Sequence, residues 1–365
     1  ASMKIIAIER SVHRLELDPP FQPSWDTRLR HHFDIHLVRV ETDEGLIGVG
    51  SGDAMPGFEG HEDLFIGRDP RDLDRHFRVI ENLSFHYGRC WPLDIALWDL
   101  FGQITGQACW RLLGGRAEGL RAYASSGSLR EPEELVDLAQ LVVEEGYTAL
   151  KIRFHRKNWQ DDVEALAAVR EAVGDSLEPM VDCNQDTKPP WTLTQALAVA
   201  KELEALEVYW MEEPLHRGDY EGMRLLREST PIRIAGAEMT RELHELRELI
   251  DRGCLDVLQP DAAVTGGITG LRRIAQQATD RGLEFTPHTW GNGIGLLANA
   301  HLAAGCGGST YLEFPFDPPV WTPERRDFLM VEPLIAGEDG WIALGEAPGF
   351  GIELDEDMLE ATRLD

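Results

Sequence analysis

The chain opens on alternating and β-branched stretches. Residues 3–10 and 36–40 carry strand periodicity, and Asp43-Glu44-Gly45 supplies a turn before 46–49. Two Pro/Gly-rich stretches, 19–26 and 52–60, read as loops. Residues 93–113 then place apolar side chains at helical spacing and stop at Gly114-Gly115. This opening predicts an α+β unit.

From residue 120 the texture changes. Short apolar runs alternate with amphipathic stretches: 120–125 then 131–145, 149–154 then 161–173, 179–183 then 192–206. Further short runs fall at 209–211, 232–237, 255–258, 283–286 and 310–314. Repeated strand–helix units predict a parallel sheet, here long enough to close into a barrel. The final stretch returns to Gly/Pro-rich sequence, with a strand-like run at 341–344 expected to pack back on the opening unit. The predicted division is a capping α+β unit over 1–119, a TIM-like barrel carrying the active site over 120–320, and a tail over 321–365 that completes the cap.

Polar residues recur at the ends of the predicted barrel strands. They are Lys151 and Arg153, Asp182 and Asn184, Glu212 and Glu213, Glu238, Asp261, His288 and Glu313. The steps from Lys151 through Asp182, Glu212, Glu238, Asp261, His288 and Glu313 are 31, 30, 26, 23, 27 and 25 residues. Each step is one β/α unit, so each group recurs at the C-terminal end of its strand, the face that carries chemistry in such barrels. Alternation agrees. Leu150, Ile152 and Phe154 share one face of their strand, and Lys151 and Arg153 share the other.

Three consecutive units end in Asp182, Glu212 and Glu238. Three carboxylates converging in a barrel mouth repel one another and need a cation, and an all-oxygen set suits Mg²⁺ better than zinc. Lys151 on the second strand and His288 on the seventh stand nearly opposite in an eight-strand barrel. Asp261, one unit before His288, can hydrogen-bond the imidazole, orient it and raise its basicity. Only five of the 35 basic residues are lysines, so a lysine in the mouth carries weight.

Composition narrows the classes. The 365 residues fit one barrel of about 200–250 residues plus a smaller unit. A formal charge of −29 repels nucleic acid and anionic membranes, and no basic patch offsets it. No apolar run reaches the roughly 18 residues of a membrane span, and the opening residues show no charged-then-apolar leader pattern. Five scattered cysteines without C-x-x-C spacing point to reduced thiols in a cytosol, hence a cytoplasmic protein.

The chain resembles the enolase superfamily, in its mandelate racemase subgroup. The resemblance covers nearly the whole length, through "MKIIAIE", "PLDIALWDLFGQITGQACWRLLGG", "LKIRF", "VDCNQD", "YWMEEP", "AGAEMT", "LQPDAAVTGGITG", "TPHTWGNGIG" and "YLEFPFDPP". It implies a (β/α)7β-type modified TIM barrel with a cap built from both chain ends. It implies that Asp182, Glu212 and Glu238 bind Mg²⁺, that Asp261 and His288 form a dyad, and that Glu313 hydrogen-bonds the substrate carboxylate. Cap loops about 19–32 and 52–62 are implied to set specificity, and homo-oligomers are expected. Asn184, Trp290, His32 and Arg30 are the candidate substrate contacts.

One position departs from the subgroup, which often carries Lys-x-Lys on the second strand. This sequence has Lys151-Ile152-Arg153. A guanidinium stays protonated, so Arg153 is a poor base and a good anion clamp. The expected activity is therefore one-base dehydration of a sugar acid to a 2-keto-3-deoxy acid. Epimerisation or lactone cycloisomerisation on the same scaffold is the nearest alternative, and a non-catalytic binding protein is the alternative from another class.

Overall fold

The computed structural model describes residues 2–115, 119–183 and 188–364. The N-terminal part is a three-stranded antiparallel sheet, β1 (Ile5–Phe21), β2 (Arg30–Thr42) and β3 (Ile47–Gly52), followed by α1 (Leu73–His86), α2 (Trp91–Thr105) and α3 (Cys109–Leu112). The predicted loop at 19–26 begins three residues late, because β1 runs through to Phe21 opposite Arg30. The predicted single helix at 93–113 is two helices. Gly106 at φ 68° caps α2 in the left-handed region, which favours glycine.

α2 is buried nearly all round, from Trp91 to Leu100. A helix apolar on every side belongs inside the protein, and this one lies between the cap sheet and the barrel. Glycines on β3 admit it: a Cβ at Gly48 would stand 2.2 Å from the Ala96 carbonyl oxygen, and one at Gly50 would stand 2.0 Å from that of Pro92. Two buried carboxylates on α2 then lock the layers. Asp94 accepts the Thr269 hydroxyl at 2.7 Å, and Asp99 accepts the Val49 and Phe350 amides at 3.0 Å each.

The barrel alternates β4 (Leu120–Ser125), α4 (Pro132–Glu144), β5 (Ala149–Arg153), α5 (Trp159–Val173), β6 (Glu178–Asp182), α6 (Leu193–Ala205), β7 (Trp210–Glu212), α7 (Tyr220–Ser229), β8 (Arg233–Gly236), α8 (Leu243–Asp251), β9 (Val257–Leu258), α9 (Gly267–Asp280), β10 (Glu284–Phe285), α10 (Gly293–Cys306) and β11 (Tyr311–Pro315). Among the described residues, eight strands separated by seven helices make the (β/α)7β arrangement. All neighbours pair parallel in the order β10-β9-β8-β7-β6-β5-β4-β11. At the seam, the Phe285 amide reaches the Gly308 carbonyl at 3.2 Å and the Ser309 hydroxyl donates to the Phe285 carbonyl.

The tail holds α11 (Pro323–Arg326), β12 (Trp341–Ile342) and α12 (Glu356–Thr362). The strand-like run near 341 was expected to pack back on the opening unit. Instead β12 adds antiparallel to β4 of the barrel, through Trp341 opposite Arg121. The tail meets the cap sheet near its start, where Arg325 donates to the Glu16 carbonyl at 3.3 Å, and at its end, where α12 packs on β1 and His13 bridges Arg363.

Period-two alternation positions the mouth. Tyr123, Met180, Trp210 and Tyr311 fill a buried layer inside the barrel. Two residues on along each strand stand Ser125, Asp182, Glu212 and Glu313, and Ala149 is followed in the same way by Lys151. Large side chains thus floor the barrel, and polar ones cluster above them.

Candidate active site

Lys151 is the electrostatic centre. Its ammonium, 1 % exposed, lies 2.8 Å from Glu313 Oε2, 3.0 Å from both oxygens of Glu212 and 3.3 Å from Asp182 Oδ2. Burial alone would lower the lysine's pKa; Glu212 and Glu313 more than reverse this and hold it well above the ordinary value. Arg153 Nη1 donates to Asp182 Oδ2 at 2.5 Å and Nε to the Ser126 carbonyl at 2.7 Å. Its guanidinium sits between two indoles, 5.0 Å from the Trp25 ring centre and 5.6 Å from that of Trp290.

The acids differ by surroundings. Burial, then Asp182, push the Glu212 carboxyl up to about 8 against the pull of Lys151. Burial alone would also raise Glu313, but Lys151 and His288 hold it below the usual carboxylate range. Glu313 further accepts the Ser125 hydroxyl at 2.7 Å and the Thr289 amide at 2.9 Å. It is therefore an anionic acceptor and can donate to a substrate oxygen only after gaining a proton.

Opposite Lys151, His288 Nδ1 contacts Asp261 Oδ2 at 2.9 Å. The other oxygen of Asp261 accepts the Ala263 amide at 2.9 Å and the Asn299 amide group at 2.8 Å. These bonds fix the carboxylate, and the carboxylate fixes Nδ1 as the protonated nitrogen. Nε2 then faces Glu238 at 3.8 Å and Glu313 at 4.0 Å. Burial alone would lower the imidazole's pKa; Glu238, Asp261 and Glu313 reverse this and lift it to about 10.

Asp182 and Glu212 are register neighbours on β6 and β7, and Glu238 follows β8. The backbone turns sharply beside two of them, with positive φ at Glu213 (48°) and Ala237 (84°), as is common where a site overrides local preference. Among the described residues no three acidic, histidine or cysteine side chains close on one point as an ion requires. The local reason is that Lys151 and Arg153 draw Asp182 and Glu212 to themselves. The donor set still fits a hard divalent cation: three carboxylates on adjacent units, two of them fully buried. Lys151, bridging Asp182 and Glu212, occupies the role of a stand-in positive charge.

A cavity of about 320 Å³ opens onto these groups. Lys151, Arg153, Glu238, His288, Trp290, Glu313 and Arg30 line it, together with Glu213 from a predicted strand end, Trp25 from the predicted cap loop, and Arg217 and Met239, which the sequence reading did not place. Asp182, Glu212 and Asp261 stand behind that lining. Trp290 is both wall and core: its ring stacks on Trp321 at 6.1 Å and meets Trp25 edge-on at 5.4 Å. His32 does not join the cavity. It is exposed on β2 beside Asp34 at 3.8 Å. A register shift between Glu16 and Phe21 on β1 separates the directions of Arg30 and His32, although they share strand parity. Asn184 lies outside the described residues.

Several functional neighbours were missed. Ser125 could have been found, since it stands 26 residues before Lys151, one more unit back in the same series, and pairs with it in register. Asn299 and Arg89 lie on α10 and on the α1–α2 turn, where no strand-end periodicity points to them.

Comparison with known proteins gives the family. Residues 134–358 match the family described as "Enolase C-terminal domain-like". The chain is 30% identical, over 99% of both sequences, to D-galactarolactone cycloisomerase of Agrobacterium fabrum. L-talarate/galactarate dehydratase from Salmonella typhimurium, solved with Mg and L-lyxarohydroxamate, superposes with a TM-score of 0.87 at 25% identity, over 100% of this chain and 94% of that one. A racemase from Streptomyces coelicolor with bound magnesium superposes with a TM-score of 0.87 at 25% identity, over 99% and 100%.

Proposed function

The chain belongs to the enolase superfamily, in its mandelate racemase and muconate lactonizing branch, and from that premise we propose that it is a Mg²⁺-dependent dehydratase of sugar acids. The observation that carries the reading is asymmetry across the cavity. One side offers a single imidazole held by a carboxylate, and the other offers two cations already engaged by Asp182, Glu212 and Glu313.

In this reading Asp182, Glu212 and Glu238 hold the metal. When bound, Mg²⁺ supplies positive charge that stabilises negative charge developing on the substrate carboxylate and offsets the acids' lift of the imidazole pKa. Lys151 binds the substrate carboxylate and stabilises the enediolate from the chain's side. His288 Nε2 takes the α-proton, while Asp261 keeps the ring oriented. The β-carbon–oxygen bond then breaks, the α-proton leaves with the β-hydroxyl as water, and the enol that remains becomes a 2-keto-3-deoxy acid. Arg153 and Trp290 close the mouth beside the reacting carbons.

The similarity to a lactone cycloisomerase supports a second reading, in which the leaving group is a ring oxygen and no water is released. It needs the same single base. Epimerisation needs a second base, and this mouth offers no histidine opposite His288 among the described residues.

A panel of aldonic and aldaric acids and their lactones, incubated with Mg²⁺ in D₂O, tests the assignment. Dehydration gives keto acid from open-chain acids. Keto acid from lactones alone supports cycloisomerisation. Deuterium in inverted, recovered substrate with no keto acid overturns the one-base reading.

A further inference from the structure

A second cavity, of about 360 Å³, lies between cap and barrel on the far side of the dyad. It shares His288, Trp290 and Met239 with the first cavity. The two cavities therefore adjoin at the imidazole. Among the second cavity's charged residues, Asp261 is engaged by His288 and Asn299, and Asp34 is paired with Arg14 at 2.8 Å. Asp53 and Arg89 are left to face a ligand. Asp53 already accepts the Ala54 amide at 2.7 Å and suits a hydroxyl.

Arg89 is the exception in an acidic chain. There are 64 acidic residues to 35 basic ones, and the cations of the barrel mouth are engaged: Lys151 and Arg153 by the acids, Arg30 by Asp26 at 3.2 Å, and Arg217 is not free either. Arg89, half-buried, makes no ion pair among the described residues. Its Nη2 reaches only the Met239 carbonyl, at 3.4 Å, and its buried Nε has no acceptor. Burial lowers its pKa while Asp53 and Asp261 oppose the shift, but a guanidinium stays charged. A charged fork with an unused buried donor, facing a cavity that opens on the catalytic imidazole, matches a carboxylate.

We propose that Arg89 binds the far carboxylate of a dicarboxylic sugar acid, so that the substrate is an aldarate rather than an aldonate. The inference rests on the sugar-acid reading of the His288 site. Arg89 is then a specificity-determining residue, and the second cavity receives the end of the substrate away from Lys151.

The test compares wild type, Arg89→Met, Arg89→Lys and Arg30→Met, with Mg²⁺, on six-carbon aldarates and on aldonates matched at C2 and C3. Steady-state kinetics and calorimetric binding are both read. Arg89→Met is expected to lose at least tenfold more kcat/KM on the diacid than on the monoacid, mainly through KM, with diacid binding weakened in parallel and partly recovered in Arg89→Lys. Equal losses on both acids overturn the proposal and make Arg89 a positioning residue for the loop after β8. Loss of diacid preference in Arg30→Met but not in Arg89→Met also overturns it and moves the far carboxylate to the first cavity. If wild type forms no keto acid from any of these compounds, the dehydratase reading fails. Calorimetry then still decides on Arg89, by whether wild type prefers the diacid and Arg89→Met does not.

Discussion

The side-chain amide of Asn299 donates to Asp261 Oδ1 at 2.8 Å, the oxygen that His288 does not use. Its own carbonyl accepts the Ala262 amide at 2.9 Å. Asn299 thus holds the strand end and the carboxylate together, one step removed from the imidazole. Replacing it with Leu leaves two polar groups short of a partner and lets Asp261 turn. Such an outer-layer change is expected to lower kcat about 10–100-fold with little change in KM. His288→Asn, which removes the base, should lower turnover by roughly 10²–10⁴-fold with the fold intact by circular dichroism. Wild-type turnover in His288→Asn would remove His288 from the mechanism.

Mg²⁺ should stabilise the folded protein. The three carboxylates of Asp182, Glu212 and Glu238 belong to folded strand ends and are not assembled in the unfolded chain. An ion that binds only the folded state at 100 times its Kd adds about 2.7 kcal/mol. Thermal midpoints measured with and without Mg²⁺ should rise in wild type and move much less in Glu212→Gln and Asp182→Asn. An equal rise in all three would place the ion elsewhere.

Much of this was legible in the sequence, because period-two alternation and a repeat of 23–31 residues both survive translation into three dimensions. Lys151, Asp182, Glu212 and Glu313 stand where the repeat put them. What the repeat could not carry is side-chain choice. Of the three carboxylates expected to converge, Asp182 and Glu212 are instead drawn to Lys151 and Arg153 while Glu238 faces His288, since a buried acid takes whatever positive charge is in reach. Nor could it carry contacts between distant segments. Arg89, Asn299 and the partner of β12 depend on how cap, tail and barrel dock, and His32 depends on a register shift in β1.

The Trp290 wall should be sensitive to a single methyl group. A Cβ at Gly127 would fall 2.5 Å from the Trp290 ring and 2.8 Å from that of Phe21. The loop cannot yield easily, since Asp317 accepts the Gly127 and Ser128 amides at 2.9 and 2.7 Å. Gly127→Ala must therefore move the indole. Overpacking of this kind costs about 1–3 kcal/mol, and because Trp290 lines the cavity, KM should rise more than kcat falls. Kinetics together with urea denaturation check this. Unchanged KM alongside full loss of the expected stability would separate the wall from the site.

His301 should set part of the acid sensitivity. It is buried on α10, with Nδ1 accepting the Trp110 backbone amide at 3.2 Å and its ring 5.3 Å from Phe350. Burial drives its pKa down from 6.5 to about 3. The folded state therefore keeps the imidazole neutral through a range in which the unfolded chain protonates it. Its contribution is fully present above pH 6.5 and is lost as pH falls toward 3, by at most about 1.4 kcal/mol per pH unit. Asp94 and Asp99 push the other way: burial lifts each to about 6, so they take up protons in the folded state first. Those terms are common to wild type and His301→Gln, which keeps an acceptor for the Trp110 amide, so the difference between the two stability curves isolates the histidine. Urea unfolding at a series of pH values should show the wild type losing stability faster than His301→Gln between pH 6.5 and about 3. Parallel curves across that window would mean that the folded protein protonates His301 as readily as the unfolded chain does.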